Sequence, residues 1–462
     1  MLFRSLGDLQ AGVNVALLAI PQGMAYALVA GLPIHFGLLG SAIAALMGGI
    51  FGGGRFITLG PTNATAVLLF GAFASMGFIG PDGMADESAL LLLPVILLTA
   101  GAFLVIASLL RISFIVQFVS RTVITAYVSA AACLIIANQS RHVLGIAYTE
   151  DVPPSTFLGI VRFLLLNLDS LCLPALCLSA ITALAYLIMQ FRFSSLPGVA
   201  AALVAASFAA ELMDHWGFSV LRLDNFVIGR DFVTLPGIDW IGMHGSLILS
   251  TALAVCLLCL LEGLSIGKSL SARAGGRINA NQETFAIGMG NLGCSLFSGM
   301  PASGSLTRST LSVQSGARTN LANLFTGFMV LAGLFLLNDF VRFIPLCSLA
   351  TLVVFIGFSL IKIRQIKTVV LATRSDGFAF FVTLLVGLTV SLQWAIFAGI
   401  LTSILLFLRK VAHPQLIEYG YTETGDLAEA SIHTKRPEPE VFIVHVEGEL
   451  FFGAAEIGRA HV

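Results

Sequence analysis

Charge is what this sequence has least of. Only 11% of its 462 residues are Asp, Glu, Lys or Arg, against about 25% in an ordinary soluble domain. Apolar residues make up 57%, and the mean hydropathy is +0.96. A chain so poor in polar side chains cannot cover a water-facing surface, which excludes a soluble enzyme. The net charge of −1, with Lys and Arg scattered between apolar runs, offers no basic face and excludes a nucleic-acid partner. Cysteine is scarce as well: Cys133, Cys172, Cys177, Cys256, Cys259, Cys294 and Cys347 all sit in or beside apolar stretches, where a thiol packs as a small hydrophobe. Cys256 and Cys259 form a CxxC with no second pair, so no metal site is read from them. No hydrolytic triad, metal-ligand cluster or phosphate-cradling loop appears, and no cofactor is implied. The first apolar run passes from Ile20 into Pro21-Gln22-Gly23 without the small-residue site of a cleavable signal peptide.

What is abundant is uncharged sequence in lengths near the roughly 20 residues of a membrane helix. Runs at 9–28, 33–52, 57–76, 89–109, 122–138, 171–190, 196–210, 246–267, 284–299, 303–317, 319–337, 345–361, 377–391 and 393–408 predict an all-α polytopic membrane protein of about fourteen segments, several short or broken by Gly and Pro. With the N-terminus in the cytoplasm and alternating sides, fifteen of the 24 basic residues fall at inside ends and five at outside ends. That asymmetry supports the orientation by the positive-inside rule and puts the C-terminal tail in the cytoplasm too. The larger loops, 143–169 and 214–245, then lie outside.

The two halves of the chain resemble each other. Pro21-Gln22-Gly23-Met24-Ala25-Tyr26-Ala27 in the first run has a counterpart in Leu261-Glu262-Gly263-Leu264-Ser265-Ile266-Gly267 in the eighth. Gly60-Pro61-Thr62-Asn63-Ala64-Thr65 in the third matches Pro301-Ala302-Ser303-Gly304-Ser305-Leu306-Thr307 in the tenth. Two seven-span halves would be inverted relative to one another, because an odd number of spans reverses the second copy. Around Phe56-Ile57-Thr58-Leu59 and Ser298-Gly299-Met300-Pro301, each half reads as a short extended segment before a helix that begins inside the membrane. Non-helical backbone at that depth survives only when buried in protein or lining a wet cavity. Two helix N-termini meeting there would aim free N–H groups and partial positive charge at one point, an anion site made from backbone. The bland alternative for each Gly-Pro position is ordinary helix packing.

Arg308 falls about a turn past the second of these starts. A charge at a helix centre costs about 2.5–3.5 kcal/mol on insertion scales, so a ligand or a partner must offset it. Arg308 is therefore read as the fixed cation that attracts an anion, with a permanent ion pair to Glu262 as the alternative. Glu262 stands alone in an uncharged run from Ile248 to Ile266. Burial and a neighbouring guanidinium act on such a carboxyl in opposite directions, which suits a group that gains and loses a proton during transport. Gln22 and Tyr26 are one helical turn apart and share a face.

The stretches IPQGMAYALVAGLP, ITLGPTNATAV and NQETFAIGMGNLGCSLFSGMPASGSLTRSTLSVQSGARTNLANL resemble the SulP family of anion transporters and sulfate permeases. The resemblance runs from about Asp8 to near the chain end, and its motifs occur in the family order. It implies a uracil-permease-like fold of two inverted seven-span repeats, divided into core and gate domains, with the core moving as an elevator, and it implies a homodimer. By position it places Gln22, Tyr26, Thr62, Asn63, Ser305, Thr307 and Arg308 around the substrate anion. Glu262 matches the acidic position of proton-coupled, plant-like sulfate carriers. Sodium-coupled bicarbonate members lack a positive side chain in the tenth span, and Arg308 would repel a cation bound beside it. The expectation is thus secondary active transport of sulfate, with H+ as the coupling ion, in the inner (plasma) membrane. A bicarbonate, dicarboxylate or chloride carrier, an exchanger, a passive channel and a membrane-anchored regulatory scaffold are the alternatives.

The membrane domain is expected to cover residues 1–411. Residues 412–462, with strands at 432–434 and 441–446 separated by Pro437 and Pro439, resemble the opening of the cytoplasmic STAS domain that follows SulP membrane regions. The last seven residues, Glu456 to Val462, interrupt the helix expected after Ala455. One codon reading of that peptide matches a common sequencing adapter, so a truncated gene fragment is expected here.

Overall fold

The computed structural model describes residues 2–80, 84–111, 121–146, 154, 156–192, 198–223, 233, 240–411, 415–421, 427–429 and 443–447. The first stretch forms α1 (Leu2–Val29), α2 (Ile34–Phe51), the two-residue strand β1 (Leu59–Gly60), α3 (Asn63–Met76) and α4 (Glu87–Leu109). After it come α5 (Arg121–Leu144), α6 (Phe157–Leu166), α7 (Leu173–Arg192) and α8 (Gly198–His215). The second half holds α9 (Trp240–Arg273), α10 (Ala280–Leu296), the strand β2 (Ser303–Gly304), α11 (Leu306–Gln314) and α12 (Leu321–Val341). It continues through α13 (Leu346–Leu360), α14 (Ile363–Ala372), α15 (Arg374–Thr389) and α16 (Leu392–Val411), and the tail adds β3 (Gln415–Tyr421), β4 (Leu427–Glu429) and β5 (Ile443–Glu447).

Each of the fourteen apolar runs contains a helix, and short extended segments precede α3 and α11 as the Gly-Pro patterns predict. Among the described residues, seven helical stretches are long and apolar enough to cross a membrane by themselves, from Leu6–Val29 to Leu346–Ala372. Two helices, α6 and α14, were not expected. They occupy the same place in each half: α6 follows the fifth run and precedes the sixth, and α14 does so in the second half.

Helix α2 lies against α12 while its counterpart α10 lies against α4; likewise α1 lies against α12 while α9 lies against α4. Helices α5 and α13, the fifth run of each half, pack on each other, with α15 on α5 and α7 on both α8 and α13. The first group encloses the two strands. The second carries large exposed apolar side chains, among them Phe191, Val204 and Phe208 at 84%, 72% and 75% exposure. Water would not tolerate so large an apolar surface, whereas lipid would.

Close helix approach is built from glycine where it is needed. A Cβ on Gly23 of α1 would lie 2.8 Å from the carbonyl oxygen of Gly37 in α2, so neither helix could keep this crossing with a larger residue there. On the other side, a Cβ on Gly304 of β2 would lie 2.7 Å from the Gly263 Cα, which lets β2 ride directly on α9 beside Glu262.

The chain divides into two compact units, Met1–Gly399 and Ile400–Val462. In the second, β3, β4 and β5 form an antiparallel sheet in the order β4-β3-β5. Strand β5 overlaps the run expected at 441–446, whereas 432–434 lies outside the described residues. Strands β3 and β4 were not expected, although Ile417, Tyr419 and Tyr421 are strand-favouring residues.

Candidate functional site

The site begins with the crossing of the two lead segments. β1 and β2 pair antiparallel, Leu59 opposite Gly304 and Gly60 opposite Ser303. The Ser305 N–H donates to the Thr58 carbonyl at 3.1 Å, which extends the pairing by one bond. Each strand leads within two residues to a helix N-cap, Thr62 for α3 and Ser305 for α11. The chain turns from strand to helix here because Pro61 has no N–H to continue a ladder, and because Thr62 and Thr65 close a capping box. In that box the Thr65 N–H donates to Thr62 Oγ1 at 3.3 Å and the Thr62 N–H donates to Thr65 Oγ1 at 3.1 Å.

The two helix starts differ. α3 caps itself through Thr62, whereas Ser305 makes no side-chain cap bond to α11 and instead has its hydroxyl 3.3 Å from that of Thr307. The first-turn N–H groups of α11 therefore keep the donor capacity that α3 has partly spent.

Glu262, half-buried on α9, joins the two leads. Its Oε2 accepts hydrogen bonds from Thr62 Oγ1 at 2.9 Å and from Ser303 Oγ at 2.8 Å, while Oε1 accepts none. One carboxylate oxygen thus ties the α3 cap to β2, leaving the other to exchange a proton or meet a ligand.

Arg308 is 1% exposed. Its side chain passes behind β1, where Nη2 donates to the Pro61 carbonyl oxygen and Nη1 reaches Ser41 Oγ on α2 at 3.5 Å; Nε has no acceptor. Gly60 makes room for it, since a Cβ there would lie 2.8 Å from the guanidinium carbon. Arg308 and Glu262 form no ion pair, so the static salt bridge that the sequence left open is absent. The cation is held by backbone and hydroxyl oxygens, and among the described residues no carboxylate pairs with it.

Of the other residues expected at the site, Tyr26 is buried on α1. Gln22 and Asn63 are buried with their amide oxygens unpartnered. Thr307 is exposed, as is Leu306 before it, whereas Ser305 and Arg308 are buried. Ser303, Ser41, Thr58, Ser309 and Tyr127 were not expected. Tyr127 of α5 donates to the Ala64 carbonyl at 3.1 Å, and the Thr58 N–H donates to Ser309 Oγ at 2.9 Å. Ser303 was discoverable in sequence, being the small hydroxyl two residues before the α11 cap. Ser41 and Tyr127 carry no such signal, because they reach the site only through tertiary packing.

Fold and site together define a multi-pass membrane protein in which two half-helices start from a buried strand crossing, with a buried arginine and a carboxylate beside them. A sequence model of the sulfate permease family matches residues 6–383, and the chain belongs to that family. It is 26% identical over 423 residues to the Probable sulfate transporter 4.2 of Arabidopsis thaliana, covering 89% of this chain and 60% of the relative. It is 28% identical over 443 residues to the Sodium-independent sulfate anion transporter of Bos taurus, covering 88% and 70%. The chain thus spans about 60% of the length of the plant relative. Among solved structures, the overall structure of SLC26A9 superimposes with a TM-score of 0.87 at 17% identity, over 99% of this chain and 74% of that one. The transmembrane domain of the cyanobacterial bicarbonate transporter BicA gives 0.75 at 22% identity, over 87% and 98%. Those two likenesses establish the fold.

Proposed function

We propose that this chain carries a small anion, sulfate in the first instance, across a bilayer as a proton-coupled secondary transporter. The observation that carries the reading is Arg308. A buried guanidinium without a counter-ion among the described residues, beside the open N-terminus of α11, is a standing positive charge at membrane depth, and it is neutralised when an anion binds. Proton coupling is assigned to Glu262. Ionised, it opposes a second negative charge in the site; protonated at Oε1, it keeps its two hydroxyl bonds at Oε2 and leaves Arg308 to the anion. Sulfate is chosen because both curated relatives described above are named as sulfate transporters.

The architecture is read as fourteen spans in two inverted repeats. The antiparallel meeting of β1 and β2, the matching positions of α6 and α14, and the exchanged packing of α2 on α12 with α10 on α4 all support it. α1–α4 with α9–α12 are assigned as the core that moves in an elevator step, and the helices around α5 and α13 as the gate. A homodimer in the inner membrane with both ends cytoplasmic, and a tail beginning a STAS domain at about residue 412, complete the reading. The test is uptake of labelled sulfate into proteoliposomes under an imposed pH gradient without sodium. Accumulation above equilibrium is expected; flux that only equilibrates, or that requires a counter-anion, would replace symport by a channel or an exchanger.

A further inference from the structure

We propose that Asn291 and Asn323 are positioning residues that hold the two lead segments, one amide to each, and so set where the helix ends meet a bound anion. The proposal takes its functional side from the anion-site reading above, while its structural side stands by itself.

A sheet of two strands, each two residues long, leaves its outer edges unpaired. In a buried setting every unpaired backbone group costs about as much as a lost hydrogen bond. Asn291 of α10 is fully buried and takes the place of a neighbouring strand for the second lead. Its Oδ1 accepts from the Ala302 N–H at 3.1 Å and its Nδ2 donates to the Ala302 carbonyl at 2.9 Å, so one amide satisfies both polar groups of the residue before β2. Asn323 of α12, 2% exposed, does the corresponding work on the first lead. Its Nδ2 donates to the Ile57 carbonyl at 2.9 Å, and its Oδ1 accepts from Thr58 Oγ1 at 2.9 Å. Asn323 is itself steered by Asn320, whose Oδ1 accepts from the same Nδ2 at 2.9 Å and whose own Nδ2 donates to the carbonyls of Gly48, Gly49 and Gly52 at the end of α2.

The clamps lie just upstream of the working groups. Ala302 is followed directly by Ser303, which binds Glu262, and Thr58 accepts the Ser305 N–H at the α11 cap. A shift of either lead therefore moves Glu262's partners and the mouth of α11 together. Both clamps come from the second half of the chain, on the helices immediately before and after α11. Both of those helices pack on α2, which links the two clamps.

The experiment uses the full chain, with Asn291→Leu and Asn323→Leu, and Thr326→Val as a control. Thr326 lies in α12, where its hydroxyl bonds Ala322 and Gly12 and no lead segment. Hydrogen exchange in detergent reads the leads directly. Asn291→Leu should raise exchange around residues 299–305 and Asn323→Leu around 56–62, while Thr326→Val changes neither. In proteoliposomes the KM for labelled sulfate should rise about tenfold for each Asn variant, the effect of one lost hydrogen bond, with kcat nearly unchanged. If Asn323→Leu does not fold, Thr58→Val removes the same bond from its other side. Wild-type exchange and KM in the Asn variants would overturn the proposal, as would exchange raised throughout the protein with kcat lost and KM intact. If the unaltered chain takes up no sulfate, the functional reading fails, and the local exchange pattern still decides whether the clamps exist.

Discussion

Replacing Gly60 by alanine tests whether the position of the Arg308 guanidinium matters to anion binding. Alanine there would sit on a backbone φ of +157° that itself strains a side chain and lowers the melting midpoint. The new Cβ would press on Nη1 of Arg308, its nearest neighbour, and stand 2.8 Å from both Cζ and Nη2, where non-bonded atoms settle at about 3.5–4.0 Å. The guanidinium must therefore withdraw by roughly 0.7 Å or more. It is the free end of a long side chain and can move, but it is 1% exposed and bonded to the Pro61 carbonyl and Ser41. Losing one hydrogen bond to a charged group costs about 1.5–3 kcal/mol. If that appears as weaker anion binding, the KM for labelled sulfate rises roughly 10- to 150-fold. Gly71→Ala is the control, because nothing lies within 4 Å of a Cβ there and alanine is the better residue in the body of α3. The assay is initial uptake into proteoliposomes against sulfate concentration, with thermal unfolding in detergent to confirm folding. A folded Gly60→Ala protein with a KM within about twofold of the Gly71→Ala value would refute the reasoning, since twofold is well under the cost of one such bond.

Glu262→Gln keeps an acceptor oxygen for Thr62 and Ser303 but cannot take up a proton. Uptake driven by a pH gradient should fall to the level without a gradient, while exchange of labelled for unlabelled sulfate persists; loss of both would assign Glu262 to binding alone. Thr62→Val removes both the α3 cap and one bond to Glu262. It should lower stability by about 0.5–2 kcal/mol, read as a lower detergent melting midpoint. Asp8→Asn weakens a fully buried carboxylate that accepts from the Arg318 and Thr319 N–H groups at 2.7 and 3.0 Å and from Thr319 Oγ1 at 2.5 Å. It lies on α1 away from the strand crossing, so the melting midpoint should drop with KM unchanged; a changed KM would extend the site to the start of α1.

Much of this architecture is legible in sequence because the membrane makes the pattern coarse. A helix of about 20 apolar residues is a long signal, and all fourteen runs hold helices. The broken starts of α3 and α11 were readable because Gly60-Pro61 and Gly299-Met300-Pro301 carry the backbone chemistry in their side chains, or the lack of them. α6 and α14 were not readable. α14, Ile363–Ala372, carries Arg364 and Lys367 and buries no side chain, so it offers no uninterrupted apolar run. Within the site, Arg308 and Glu262 stood out because charge is expensive in an apolar run. What each one touches did not. Their partners, Ser41, Pro61, Thr62 and Ser303, come from α2, the α3 lead and β2, and the long-range packing that joins these elements leaves no local trace. The packing that pairs α2 with α12 and α10 with α4 is likewise invisible in a list of hydrophobic runs.

The most direct test of the central claim is labelled sulfate uptake into sodium-free proteoliposomes under an inward proton gradient, measured for the unaltered chain and for Arg308→Ala. The account predicts gradient-dependent accumulation that a protonophore abolishes, and no accumulation in Arg308→Ala protein that remains folded. Uptake by Arg308→Ala at the unaltered rate would contradict it.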